Sequence, residues 1–92
     1  MKVYAASYFY EECDPSMIAI GRDPKQVQRA VKSAMKEEAE NWADDETRDP
    51  DYAPIAWSGV HSYDLADLVV SASQRREVLT ALRRREVYWS SN

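Results

Sequence analysis

Cys13 is the only thiol and His61 the only imidazole in the 92 residues. A cysteine nucleophile needs such a base, and the base needs a third group to orient it. Here the ordinary reading of the pair is a turn cysteine and a strand-end histidine. The motifs G-x-x-x-x-G-K-[ST], G-x-G-x-x-G, H-E-x-x-H, C-x-x-C and G-x-S-x-G are all absent. With Gly21 and Gly59 as the only glycines, a glycine-rich phosphate loop has no material. Carboxylates abound, but in polar runs rather than among apolar neighbours that would raise a pKa. The expectation is a chain with no catalytic residue and no cofactor, not an enzyme.

Asp44, Asp45, Glu46, Asp49 and Asp51 invite comparison with a calcium loop. An EF-hand wants acids at positions 1, 3 and 5, glycine at 6 and glutamate at 12. Counted from Asp45, those places hold Thr47 at the third, Pro50 at the sixth and Ala56 at the twelfth; counted from Asp44, the sixth is Asp49 and the twelfth Ile55. Neither register works, and no metal is expected.

What the residues do offer is sorted charge. Residues 37–51 hold Glu37, Glu38, Glu40, Asp44, Asp45, Glu46, Asp49 and Asp51 against Arg48 alone, a net of −7. Lys25, Arg29, Lys32 and Lys36 precede them, and at 100° per helical residue they fall within about 60° of one another. Residues 74–86 add Arg75, Arg76, Arg83, Arg84 and Arg85 against Glu77 and Glu86, a net of +3. Each run suits a solvated face, but segregation of this kind also suits a polar partner.

Tyr4, Tyr8 and Tyr10 supply a second set of candidate contacts, because they share one side of a strand-like segment. Tyrosine gives contact area at low entropic cost and is enriched at interfaces. The alternative is that these rings line a rather polar core with hydroxyls at its margin.

The elements that must position these groups follow from local pattern. Val3–Tyr10 and Met17–Ile20 read as strands of a hairpin joined by the polar, proline-bearing turn Glu11–Ser16. Asp23-Pro24-Lys25-Gln26 is a helix start, with an N-cap carboxylate, proline at the first helical position and Gln at N3. Val27, Ala30, Val31, Ala34, Met35 and Trp42 then recur at helical spacing, which predicts a helix over 24–43. An acidic loop over 44–54 follows. Residues 55–60 read as a third strand with Trp57 largely buried in it, and Leu65–Val70 as either a short helix or a buried strand, with Ser62 or Asp64 as a cap favouring the helix. Ser71–Gln74 opens a last helix to about Arg84 with Val78, Leu79 and Leu82 inward. Val87–Trp89 closes the chain as a short edge strand.

The whole reads as one α+β domain, residues 1–92. Its sheet is small, antiparallel or mixed, and built from the N-terminal hairpin plus one or two further strands. A long helix and a shorter C-terminal helix pack on one face of it.

Composition sets the remaining bounds. Leu, Ile, Val and Phe come to 16 of 92 residues, a thin core that leaves room for a partner, or a second copy of the chain, to supply stability. The net charge is −4 and the pI about 4.9. No apolar run approaches a membrane span, the first residues lack a signal-peptide core, and one cysteine fits a reducing cytoplasm.

The Tyr-rich hairpin Val3–Ile20, followed at once by the capped helix from Asp23, resembles small acidic proteins encoded by phages and mobile elements. The anti-CRISPR proteins are the best known of these. That resemblance implies a non-enzymatic inhibitor acting in the host cytoplasm. It would occupy a host protein with a basic nucleic-acid-binding surface, presenting carboxylates where phosphates would sit. The group shares no motif from which functional residues carry over. The acidic residues of 37–51 fit this role, with Tyr4, Tyr8 and Tyr10 as aromatic anchors and no direct contact with nucleic acid. The arginines of 75–85 do not fit it. Together with Lys25, Arg29, Lys32 and Lys36 they support the alternative, a small nucleic-acid-binding or regulatory domain.

Overall fold

A computed structural model describes residues 1–10, 17–43, 54–69 and 71–91, with side chains described for these except at 9–10, 41–43, 54–56 and 91. The Tyr-rich segment forms β1 (Lys2–Tyr10), and Met17–Gly21 returns beside it as β2. Their antiparallel register pairs Tyr4 with Gly21, Ala6 with Ala19 and Tyr8 with Met17. The long helix α1 spans Pro24–Ala43, the span its spacing predicts. Then come β3 (Pro54–Trp57), β4 (His61–Asp64), α2 (Leu65–Leu68), α3 (Ala72–Arg83) and β5 (Tyr88–Ser91). The sheet is antiparallel throughout, one of the two arrangements expected, and adds three strands to the hairpin rather than one or two, with β5 beside β2 and Ala19 opposite Trp89.

On the other side of β1, β3 and β4 lie end to end along one edge. Tyr8 faces Trp57 and Ala5 faces His61, so four steps along the outer strand match three along β1. The extra residue is taken up at Ser58–Val60, where Gly59 adopts φ 77°, a conformation glycine reaches without a Cβ penalty. Ser58 repairs the ladder there. Its N–H donates to the Ser7 carbonyl at 2.8 Å, and its Oγ accepts from the Ser7 N–H at 3.0 Å. Of the predicted strand 55–60, only residues 55–57 belong to a strand, β3; 58–60 form the bulge, and β4 follows it as a strand the spacing does not predict. β4 has no apolar signal, because all four of its residues are exposed.

The helices divide between the two faces, which corrects the expectation that both share one. On one face Val3, Ala5 and Ile20 meet Leu65, Val69, Val78 and Leu82 from the α2–α3 half. On the other, Ala6, Tyr8 and Ala19 meet Val27 and Val31 of α1. The cause is that neither β1 nor β2 has a polar side. β1 carries Val3 and Ala5 on one face and Ala6 and Tyr8 on the other, and a strand apolar on both faces must be covered on both. Small Ala6 and Ala19 let α1 come close, while Tyr8 meets Trp89 edge to face at 6.2 Å. Val27, Val31, Val3 and Val78 are fully buried, each contributing on the order of 1.5–3 kcal/mol. Trp57, expected to be buried, is only partly so; the Lys32 ammonium lies 5.4 Å from its ring centre.

Both short-range caps are present. Asp64 accepts from the Ala66 N–H at 3.0 Å to start α2, and Ser71 accepts from the Gln74 N–H at 3.4 Å to start α3. Val78 and Leu82 are buried and Leu79 partly so, as their spacing predicts.

Candidate functional site

α1 carries charge of both signs, and the structure separates the two. Its buried stripe is Val27 and Val31, so Lys25, Arg29, Lys32 and Lys36 point to solvent, all four exposed. Among the described residues the only ion pair joins the amino terminus to Asp64 at 3.8 Å. It is well exposed at both ends and worth little.

Toward the C-terminal end of α1, Glu37 and Glu40 are exposed. Glu38 is not an open surface group: it is half-buried, and its Oε1 accepts from the Tyr8 hydroxyl at 2.9 Å. Asp44, Asp45, Glu46, Asp49 and Asp51 lie outside the described residues.

The tyrosines do not form an outward face. Tyr8 is 3 % exposed and belongs to the α1-side core. Tyr4 is half-buried against that same core, with the Lys2 ammonium 5.6 Å from its ring centre. Tyr10's side chain lies outside the described set. Tyr8 as a partner anchor is therefore corrected. The physical reason is α1, which covers the even-numbered side of β1 and leaves the hydroxyl to reach Glu38 at the margin.

The C-terminal arginines split as well. Arg75 turns inward and donates from Nη2 to the Val69 carbonyl at 3.3 Å, satisfying the end of α2. Arg76, Arg83, Arg84 and Arg85 remain exposed. Arg85 is the residue the spacing alone does not single out. The Arg85 N–H donates to Leu82 O at 3.1 Å and the Glu86 N–H to Ala81 O at 2.9 Å. These are the two bonds of a Schellman termination, with Arg85 in the left-handed place that glycine usually takes, at φ 58°. Its carbonyl accepts from Gln26 Nε2 at 2.6 Å, which ties the end of α3 to the first turn of α1. Arg22, Asp23, Gln26, Arg29 and Arg85 thereby line one open groove of about 400 Å³.

His61 is occupied locally. Its Nε2 donates to the Ser58 carbonyl at 3.0 Å, and Cys13 lies outside the described residues. No three His, Cys, Asp or Glu side chains among the described residues gather as a metal site. No described helix is long and apolar enough to cross a membrane.

On the α3 side, Tyr88 donates its hydroxyl to Glu77 Oε2 at 2.9 Å. That bond to a carboxylate, aided by desolvation and by the negative charge itself, holds the phenol above its usual value of 10.0. Compared with protein-family models, curated proteins and solved structures, the chain matches none.

Proposed function

We propose that the chain is a non-enzymatic, protein-binding inhibitor of the phage or mobile-element type. It would block a host nucleic-acid-binding complex by presenting an acidic surface to that complex's basic groove. The observation that carries this reading is the division of charge along the chain. The described residues hold 11 Lys and Arg against 8 Asp and Glu, whereas the remaining residues hold 8 acids against Arg48. Those acids belong to two segments, 11–16 and 44–53, and both segments join the described chain at one end of the sheet. Tyr10 precedes the first, Pro54 follows the second, and the two are paired. α1 runs back toward that end, with Glu37 and Glu40 exposed along its second half. An arginine- and lysine-rich partner would meet Glu37 and Glu40 there, with the acids of 44–51 following directly in sequence, and such complementarity acts chiefly on encounter rate and specificity.

The test replaces Asp44, Asp45 and Glu46 by Asn, Asn and Gln and measures affinity for a captured partner from 0.1 to 1 M salt. Affinity should fall strongly at low salt, and the difference from the parent should shrink as the screening length drops from ~10 Å to ~3 Å. Excess duplex DNA or RNA should compete for the same surface. Unchanged affinity at low salt removes the acidic segment from the interface.

The second reading, direct nucleic-acid binding, draws support from the exposure of Lys25, Arg29, Lys32 and Lys36 without ion pairs among the described residues. A mobility-shift complex lost in K25E/R29E would put it first. The expectation is binding no tighter than the generic non-specific level of roughly 10⁻⁴ M, because Glu37 and Glu40 share the helix with those cations.

A further inference from the structure

We infer that the groove between the start of α1 and the end of α3 is a binding site for a small polyphosphate, such as the phosphate chain of a nucleotide. Three arginines line it, each from a different part of the chain. Arg22 comes from the turn after β2, Arg29 from the second turn of α1, and Arg85 from the C-terminal cap of α3. The site is distinct from the acidic surface proposed above and stands without that reading.

Three features favour a ligand with several closely spaced negative charges. The first is convergence. Sequence separates Arg29 from Arg85 by most of the chain, and the Gln26-to-Arg85 bond of 2.6 Å brings their elements together. The second is lack of internal neutralisation. None of the three arginines has an ion pair among the described residues. The one carboxylate in the lining, Asp23, accepts from the Lys25 N–H at 2.9 Å, and the lining keeps a net charge of +2. The third is backbone strain. A residue with a Cβ sits in the left-handed region at Arg85, where glycine would serve the turn better. The side chain is thus the reason to look for a role at this position.

The planar fork of arginine matches phosphate oxygens two at a time. An open groove of about 400 Å³ suits a short phosphate chain. A long polyanion laid along α1 would instead run on to Glu37 and Glu40.

Isothermal titration of the full chain with inorganic triphosphate, and separately with ATP, tests the assignment. The expected result is saturable 1:1 binding of both, with ATP at least as tight, which places the recognition in the phosphate chain. R22A, R29A and R85G should each weaken triphosphate binding at least tenfold. R76A, which removes an exposed arginine of α3 outside the groove, should change it less than twofold. R85G relieves the left-handed strain and is expected to melt no lower than the parent, and a melting curve run beside the titration separates loss of affinity from loss of fold. The inference is overturned by absence of triphosphate binding, by an equal loss in R76A, or by a 12-base-pair duplex binding more tightly than triphosphate.

Discussion

Replacing Arg85 by glycine should make the protein more stable, and the size of the gain can be worked from the backbone. At φ 58° a residue with a Cβ is disfavoured by about 1–2 kcal/mol relative to right-handed geometry. Glycine removes that penalty but has more freedom to lose on folding, which takes back roughly 0.4–1 kcal/mol. The net lies between about 0 and 1.6 kcal/mol in favour of the variant, centred at about 0.8 kcal/mol. For a domain of this length 1 kcal/mol moves the midpoint by about 4–8 °C, so at the centre of the energy range thermal unfolding followed by circular dichroism should show a rise of about 3–6 °C. The hydrogen bond from Gln26 reaches the Arg85 carbonyl, which every variant retains. Arg85→Ala is the necessary partner measurement. It removes the charge beside Arg22 and Arg29 but keeps the Cβ, so it separates electrostatic relief from conformational relief. The reasoning fails if Arg85→Gly melts at or below the parent temperature. It fails equally if the alanine variant gains as much and both gains vanish at high salt.

Two further perturbations probe the two faces of the sheet. A Cβ built on Gly21 would lie 2.8 Å from Val27 Cγ2, so Gly21→Ala should cost about 1–3 kcal/mol by overpacking; an unchanged urea midpoint would refute the close approach of α1 to β2. On the other face, the folded protein holds the Tyr88 proton more tightly than the unfolded chain does. The contribution is therefore complete below the usual phenol value of 10.0 and is lost as pH rises through the higher folded-state value. Between pH 10.0 and that higher value, urea midpoints of the parent should fall more steeply than those of Tyr88→Phe, and parallel profiles would remove the Glu77 bond as the cause.

Much of the fold was legible where chemistry is local. Asp23-Pro24 announces α1, Ser71 announces α3, and the apolar spacing of Val27 with Val31 and of Val78 with Leu82 names the inward stripes. β4 was not legible, because His61–Asp64 pairs through its backbone while its side chains stay in water. The side of the sheet chosen by each helix was hidden for a different reason. Val3 with Ala5 and Ala6 with Tyr8 make both faces apolar, and only the packing of two helices decides which covers which. Among site residues, exposure of the α1 cations follows from the helical stripe alone. The burial of Tyr8 needed the third dimension, and so did the meeting of Arg85 with Arg22 and Arg29, since a Schellman turn with arginine at its glycine position leaves no mark in the sequence.

The bulge at Ser58–Val60 also governs how the sheet can grow. An added strand seeks a straight row of free N–H and C=O groups. Along the β3–β4 edge it would find two four-residue stretches set one residue out of phase, with the kink at Gly59 between them. Any ladder begun on one stretch loses its register on reaching the other. Lengthening by a neighbouring molecule is thus discouraged on that side. Among the described residues, the uninterrupted border left to the sheet is the outer row of β5, Tyr88–Ser91. A fibril or a strand-sharing pair of this protein would start there.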